Sequence, residues 1–273
     1  MTIDVSKVRY ISLIRLEGGE SVLNVPYAEM TVDPDLIAGF VTAVIIFANT
    51  PIRTIRKQKY DILIEVGKNV LVLLVVDPVP DESPYRTKLK TILAQVEEEH
   101  GTKLKEFEGD IRRYREFTLQ ILTEFPYYEL DLNLVPVKTF KDIKIPFRVA
   151  SIDRKLEQIE AFIDKKRTIM EILDLIDMPE EEVLALIGAL LRYQHIDLKR
   201  KLTEQDKPIV TKDPPITCTH LRAQYGKPVD DLLEKFDGKI TIQEVINGLP
   251  YDKAAIWFLI NKLVDEGCLK PRD

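Results

Sequence analysis

Three glycines in this 273-residue chain are each followed by lysine, the dipeptide that closes a phosphate-binding P-loop. They are Gly67, Gly226 and Gly238, and none has a second glycine five positions earlier. The Gly-x4-Gly-Lys-Ser/Thr pattern, whose backbone amides cradle nucleotide phosphates, is therefore absent. The sequence predicts a protein that is not itself a P-loop GTPase or ATPase.

Histidine and cysteine give little material for metal or acid–base chemistry. His100, His195 and His220 are scattered along the chain, and Cys218 with His220 makes one possible ligand pair, short of the four that structural zinc needs. We predict no catalytic residue, no metal and no cofactor. Cys218 and Cys268 are interpreted as free thiols in a reducing cytoplasm, without a disulfide.

Composition and the chain ends favour a cytoplasmic protein of two or three domains. The chain is 45% hydrophobic with a net charge of -6, which indicates no basic module for nucleic acid. The first ten residues, MTIDVSKVRY, lack the apolar centre of a signal peptide, and Thr2 stands where myristoylation needs glycine. The last residues, CLKPRD, do not form a prenylation motif.

The segment DLIAGFVTAVIIFANT, residues 35–50, predicts a helix that is apolar almost all round. Between Leu36 and Ala48 the only polar side chain is Thr42, whereas a surface helix normally keeps one polar face. The run is too short for a membrane span, which needs about 20 apolar residues. Both sides of this helix must therefore be covered, either by later helices of the chain or by a second protein.

Strand signals surround that helix. Residues 8–27 predict a hairpin turning at Gly18-Gly19, and Asp33 as N-cap with Pro34 at the first position starts the helix. Three further strands are predicted from the isoleucines between residues 52 and 64 and from the run VLVLLVV at 70–76. That run is apolar enough for a central strand. Two helices, 84–100 and 103–125, are predicted to follow, with Gly101 as the C-terminal cap between them.

This order of elements, with DLIAGFVTAVIIFAN and YDILIEVGKNVLVLLVV at its centre, resembles the longin and roadblock folds of trafficking proteins and small-GTPase regulators. The resemblance implies an α+β fold: a five-stranded antiparallel sheet with the first helix on it. It also implies that the outer side of that helix packs on a second such module, in a homodimer or heterodimer. The partner interface predicted on this helix comprises Leu36, Ile37, Phe40, Val41, Val44 and Ile45.

The second half repeats itself at an offset of 73 residues. Asp164, Thr168 and Glu171 correspond to Asp237, Thr241 and Glu244, and apolar matches continue to a shared strand ending at Ile196 and Leu269. Each copy resembles a winged helix. The expected organisation is a longin/roadblock-like domain at 1–125, a linker at 126–150, winged helices at 151–204 and 226–273, and a linker at 205–225.

These winged helices look unsuited to DNA. A reading helix offers Arg, Lys, Asn or Gln to bases and phosphates, but the first copy begins its third helix with three glutamates at 180–182 and offers only Arg192. The second copy mixes Lys253, Asn261 and Lys262 with aspartates. The copies are therefore predicted to bind protein, and the glutamates at 97–99 and 180–182 are interpreted as solvated helix faces.

A longin- or roadblock-type domain followed by winged helices, and the stretch LLRYQHIDL in particular, resembles the nitrogen-permease-regulator-like subunits that control a Ras-like GTPase. In the GTPase-activating member of that family, an arginine finger comes from the loop before the central strand. Lys68 takes that position here, within the predicted GTPase contact Gly67, Lys68 and Asn69. Lysine lacks the planar fork of arginine, so the expectation is a non-enzymatic regulator or scaffold that binds a small Ras/Arf-like GTPase or a longin/roadblock partner. A tandem winged-helix transcription factor and a membrane-remodelling scaffold remain alternatives.

Overall fold

A computed structural model describes residues 3–28, 34–48, 52–107, 109–141 and 143–270 of the chain. In the helix at 34–48, side chains are described for residues 36–44. Asp33, predicted as an N-cap, lies outside the described residues.

The first half contains the predicted five-stranded antiparallel sheet. Its strands are β1 (Val8–Arg15), β2 (Ser21–Pro26), β3 (Thr54–Arg56), β4 (Asp61–Val66) and β5 (Val70–Val76), in the spatial order β2-β1-β5-β4-β3. The α+β class is thus confirmed. The central place of β5 is confirmed as well, and all seven of its side chains are buried. Gly19 turns the β1–β2 hairpin with φ of 74°, a conformation that glycine adopts without a steric penalty.

Both faces of the sheet are covered by helices. Alternate side chains of a strand point to opposite faces. Leu71, Leu73 and Val75 of β5 therefore pack with helix α1 (Pro34–Ala48), and Val72 and Leu74 pack with helix α2 (Ser83–Lys105). A sheet with two apolar faces needs cover on both sides, which explains the near-continuous apolar run in β5.

Helix α2 is longer than the sequence predicts. It runs through Gly101 to Lys105, and a 3₁₀ helix (Ile111–Phe117) leads into helix α3 (Thr118–Glu124). The prediction of Gly101 as a cap was therefore wrong. A Cβ atom on Gly101 would lie 3.2 Å from Glu97 Oε2 and 3.3 Å from the side-chain nitrogen of Asn69, so this position is glycine because the turn before β5 packs closely on the helix.

Beyond α3 the chain continues as a strand and two similar groups of helices. These elements are β6 (Leu134–Lys138), α4 (Ala150–Phe162), α5 (Ile169–Leu173), α6 (Glu180–Arg192), β7 (Ile196–Arg200), β8 (Ile209–Val210), α7 (Ile216–Tyr225), α8 (Lys227–Lys235), α9 (Ile242–Gly248), α10 (Lys253–Asp265) and β9 (Leu269–Lys270). Strand β6 pairs with β7, and β8 pairs with β9. Both segments expected to be linkers therefore contain regular structure, since β6 lies within 126–150 and α7 within 205–225.

The repeat predicted from the sequence is present in the backbone. Both ends of α6, shifted by 73 residues, give the ends of α10. Thr168 and Thr241 each form a reciprocal capping box with the glutamate three residues later, which satisfies two free amides at the start of α5 and α9. The same local sequence code thus builds the same helix start twice.

The chain divides into two compact units, residues 1–199 and 200–273. This division differs from the expected one because the first repeat copy belongs to the same unit as the sheet. Buried residues of α4 and α6, such as Leu156 and Leu186, share a core with α2 and α3. The second copy has a core of its own, formed around Phe236, Ile260 and Leu263.

Cys218 of α7 and Cys268, next to β9, form a disulfide within the second unit, with their Cα atoms 5.8 Å apart. The prediction of two free thiols was therefore wrong. The sequence separation of 50 residues does not report the distance in the fold, where α7 brings Cys218 next to Cys268 at the start of β9. Closing a loop of that length stabilises a small unit by about 4 kcal/mol in the chain-entropy treatment.

No helix within the described part of the chain is both long and apolar enough to cross a bilayer.

Candidate partner-binding site

Helix α1 divides its apolar side chains between the protein core and its outer side. Ile37, Ala38 and Val41 are buried on the sheet, where they pack in one cluster with residues of β1, β4 and β5. Leu36 and Phe40, four residues apart and hence on one stripe of the helix, are 68% and 50% exposed. We call Leu36 and Phe40 the outer α1 stripe.

Two of the six residues predicted as a partner interface therefore have another role. Ile37 and Val41 face the sheet because a helix on a flat apolar surface buries one stripe at three- and four-residue spacing. Leu36 and Phe40 are exposed as a partner interface requires, and Val44 is half-buried. The side chain of Ile45 lies outside the described residues.

One interpretation of the sequence was that later helices of the chain cover the outer side of α1. Helix α2 does not cover the outer α1 stripe. Leu89, Ile92 and Val96 of α2 are fully buried in the cluster on the opposite face of the sheet. Helix α2 therefore serves the other face. The sheet therefore accounts for the apolar residues on the inner side of α1, but not for Leu36 and Phe40 on its outer side.

A cation lies beside the outer α1 stripe. The ammonium of Lys57 lies 5.6 Å from the centre of the Phe40 ring, within the range of a cation–π contact. The surface thus combines exposed apolar side chains with one positive charge at the edge. An apolar partner face with a carboxylate at its rim would complement it.

The predicted GTPase contact, residues 67–69, is a turn held by a carboxylate of α2. Glu97 Oε1 accepts hydrogen bonds from the backbone amides of Asn69 (2.7 Å) and Val70 (3.2 Å), and Oε2 accepts one from the side-chain amide of Asn69 (2.7 Å). Lys68, which directly precedes the two residues that donate to Glu97, is exposed. The turn therefore presents its lysine from an ordered backbone.

The charge of Glu97 is stabilised by these hydrogen bonds. Burial alone raises the pKa of the carboxyl, but the donors from Asn69, Val70 and Lys68 outweigh it, so the pKa of Glu97 lies below its ordinary value. Glu97 was interpreted as part of a solvated helix face. That interpretation was wrong because a surface carboxylate and a clamping carboxylate look the same in a helical sequence.

Gly67 is glycine for lack of space. Its φ angle is not positive, so the backbone conformation does not require glycine. A Cβ atom at this position would lie 2.4 Å from Glu97 Oε1 and 3.0 Å from the carbonyl oxygen of Val70. Neither Gly67 nor Asn69 is thus chosen for a left-handed conformation. Their shared role is to let the turn reach Glu97.

The third helices of the two repeats use their polar side chains locally. The guanidinium of Arg192 lies 4.9 Å from the centre of the Tyr127 ring, and Lys155 forms an ion pair with Glu182. In the second copy, Lys253 donates to the side chain of Asn247 (3.0 Å) and Asn261 donates to the carbonyl of Trp257 (2.9 Å). Three of the four groups that would have to contact bases or phosphates, Arg192, Lys253 and Asn261, are thus engaged within the protein.

His195 and Cys268, equivalent in the repeat, share a backbone position and differ in side-chain role. Their amides donate to the carbonyls of the equivalent residues Leu190 and Leu263, at 2.9 and 2.7 Å. The Cys268 sulfur is in the disulfide, whereas Nε2 of His195 donates to the carbonyl of Ile143 at 2.8 Å. The described residues contain no cluster of three or more potential metal ligands.

Comparison with known proteins adds no family assignment. The chain matches no model of a known protein family, and no curated protein matches it.

Proposed function

We propose that this protein is a non-enzymatic regulator or scaffold that binds a longin- or roadblock-type partner, or a small Ras/Arf-like GTPase. The observation that carries the proposal is the outer α1 stripe. Leu36 and Phe40 stay exposed on a helix whose described inner residues Ile37, Ala38 and Val41 are buried on the sheet. Exposed apolar patches of this kind mark protein–protein contacts in soluble domains.

The two repeat copies are proposed to be winged helices that bind protein. Support comes from the shared helix–helix–strand order and the matched capping boxes of α5 and α9. The internal contacts of Arg192, Lys253 and Asn261 reduce the number of polar groups that the third helices offer to a DNA duplex. We expect no shift of random duplex DNA at physiological salt, where nonspecific binding depends on free cations.

Affinity purification from the native host tests the proposed partner. Tagged wild type, Phe40→Glu and the control Leu175→Glu are compared, because Leu175 is, like Phe40, an exposed large apolar residue, at 53%. A GTPase or a longin/roadblock protein should co-purify with wild type and with Leu175→Glu and be lost with Phe40→Glu. If the same partner co-purifies equally well with Phe40→Glu, the proposed site is wrong.

The turn 67–69 is proposed as the GTPase contact, supported by the exposed Lys68 on a backbone fixed by Glu97. With the GTPase so identified, Lys68→Ala should weaken binding up to about fivefold, as expected for one exposed charge. The control is Lys105→Ala, because Lys105 is an exposed lysine that lines one surface cleft together with Lys68.

Single-turnover GTP hydrolysis tests why lysine is present. An arginine finger raises hydrolysis about 10³- to 10⁵-fold, so even imperfect geometry in Lys68→Arg should give a measurable increase over wild type. Equal rates for wild type, Lys68→Ala and Lys68→Arg, with unchanged affinity, would return the turn to the role of an ordinary hairpin tip.

A further inference from the structure

The loop after β6 displays an aromatic side chain with no packing of its own. Among the described residues, no large apolar side chain is more exposed than Phe140, which is fully exposed. Ile143, three residues later, is also exposed. An aromatic ring held in water costs free energy that a surface loop avoids with any polar residue.

The backbone around Phe140 is fixed. The Thr139 amide donates to the carbonyl of His195 (2.8 Å), and the Thr139 hydroxyl donates to the carbonyl of Gln194. The Lys141 ammonium donates to Oε1 of Gln194 (2.8 Å), and Gln194 itself has φ of 57°, a conformation that is uncommon for a residue with a side chain. Phe140 therefore lies between two residues, Thr139 and Lys141, that are both hydrogen-bonded to the chain at Gln194.

Lysines alternate with these apolar residues. Lys138, Lys141 and Lys144 are exposed on either side of Phe140 and Ile143, and the sequence from 138 to 144 holds one carboxylate, that of Asp142. Next to Phe140, a cleft of about 230 Å³ is lined by Lys138, Lys141 and His195, with Glu160 as its one acidic residue. The cleft has the size and charge for a phosphate group.

We propose that the described residues of this loop, 138–141 with Ile143 and Lys144, dock on a membrane surface that contains anionic phospholipids. The lysines and the cleft would contact headgroup phosphates, while Phe140 and Ile143 enter the boundary with the acyl chains. Such a surface offers an apolar layer directly beneath a negative one, which matches an exposed ring flanked by cations. A DNA duplex offers no apolar layer for the ring.

The docking is weak and reversible. Each lysine near an anionic surface strengthens binding about fivefold, and one inserted aromatic ring adds a limited apolar contact. The loop would therefore act as a second signal that orients a protein already brought to the membrane by a partner. The proposal does not depend on the identity of that partner.

Vesicle co-sedimentation of the full chain tests the proposal. Vesicles of phosphatidylcholine with phosphatidylserine should bind wild type, and pure phosphatidylcholine vesicles should bind it at least about tenfold less. Phe140→Ala should lower partitioning about tenfold, whereas Phe258→Ala, which removes a phenylalanine 52% exposed elsewhere, should not change it. In a Trp257→Phe background, Phe140→Trp should shift its emission to the blue on the phosphatidylserine vesicles.

Two double variants with the same net charge test the electrostatic contribution of the lysines to vesicle binding. Lys138→Glu with Lys144→Glu, and Lys212→Glu with Lys239→Glu, each change the net charge from -6 to -10, since each substitution removes one positive charge and adds one negative charge. The first pair should abolish binding and the second should retain most of it. Binding that responds equally to both pairs, or that survives Phe140→Ala, would overturn the proposal. If wild type does not bind the vesicles but binds soluble polyglutamate through Lys138 and Lys144, the partner is an acidic protein and the lipid assignment is wrong.

Discussion

The two faces of the five-stranded sheet use side chains of the same strands, yet they are covered in different ways. The face under α2 continues into a core that also includes α3 and the first repeat copy, from Ile92 to Leu186. The face under α1 ends in a helix whose other side exposes Leu36 and Phe40. A helix that covers the sheet but is apolar on its outer side as well leaves a second apolar surface exposed. This difference is the reason that we propose α1 as the place for a partner.

The largest expected effect separates the two sides of α1 directly. Val41→Glu places a carboxylate in the fully buried cluster on the sheet and should cost about 4 kcal/mol or more of folding free energy. Phe40→Glu, one residue away on the exposed side, should change stability by no more than about 0.5 kcal/mol. Urea unfolding followed by circular dichroism measures both, and similar losses for the two variants would remove the distinction between the sides of the helix.

A smaller difference is expected when apolar side chains are cut back on the two faces. Ile92→Ala, in the fully buried cluster under α2, should destabilise the protein by about 2–5 kcal/mol because it leaves a cavity. Leu36→Ala on the outer α1 stripe should cost about 0.5 kcal/mol or less in the isolated chain. Thermal unfolding measures both. A large loss from Leu36→Ala would indicate that the chain already buries this residue.

The hydrogen bonds from the turn 67–69 to Glu97, which we call the Glu97 clamp, should contribute about 1 kcal/mol to the free energy of unfolding. Glu97→Gln should remove this contribution, whereas Glu98→Gln, at the exposed neighbouring residue, should not. The folded-state pKa of Glu97 lies below its unfolded value. Its stabilisation is therefore present above the unfolded pKa and lost as pH falls through the folded pKa. Hydrogen exchange at the amides of Asn69 and Val70 should accelerate in Glu97→Gln at neutral pH. Unchanged exchange would mean that the clamp does not order the turn.

Much of the fold follows from patterns of apolar residues and from local helix signals. The run at 70–76 required a strand buried on both faces, and Thr168 and Thr241 with their partner glutamates defined two helix starts. Those features depend on neighbours in sequence. The sequence therefore contains them in full.

The errors concern contacts between distant residues. Leu36 and Ile37 are equally apolar, so hydropathy does not tell which faces the sheet. Gly101 carries the local signature of a cap, but its reason is the approach of Asn69 and Glu97. Cys218 lies outside the repeat, so the repeat did not reveal that it reaches Cys268.

Site-specific photo-crosslinking in the native host tests the central claim most directly, namely that the outer α1 stripe binds a second protein. A photoreactive phenylalanine analogue replaces Phe40 in one strain and Leu175 in another, and crosslinked products are identified by mass spectrometry. We expect a discrete crosslink from position 40 to a longin/roadblock protein, a small GTPase or a second copy of this chain, and none of these from position 175. No adduct from position 40, or the same adducts from both positions, would contradict the account.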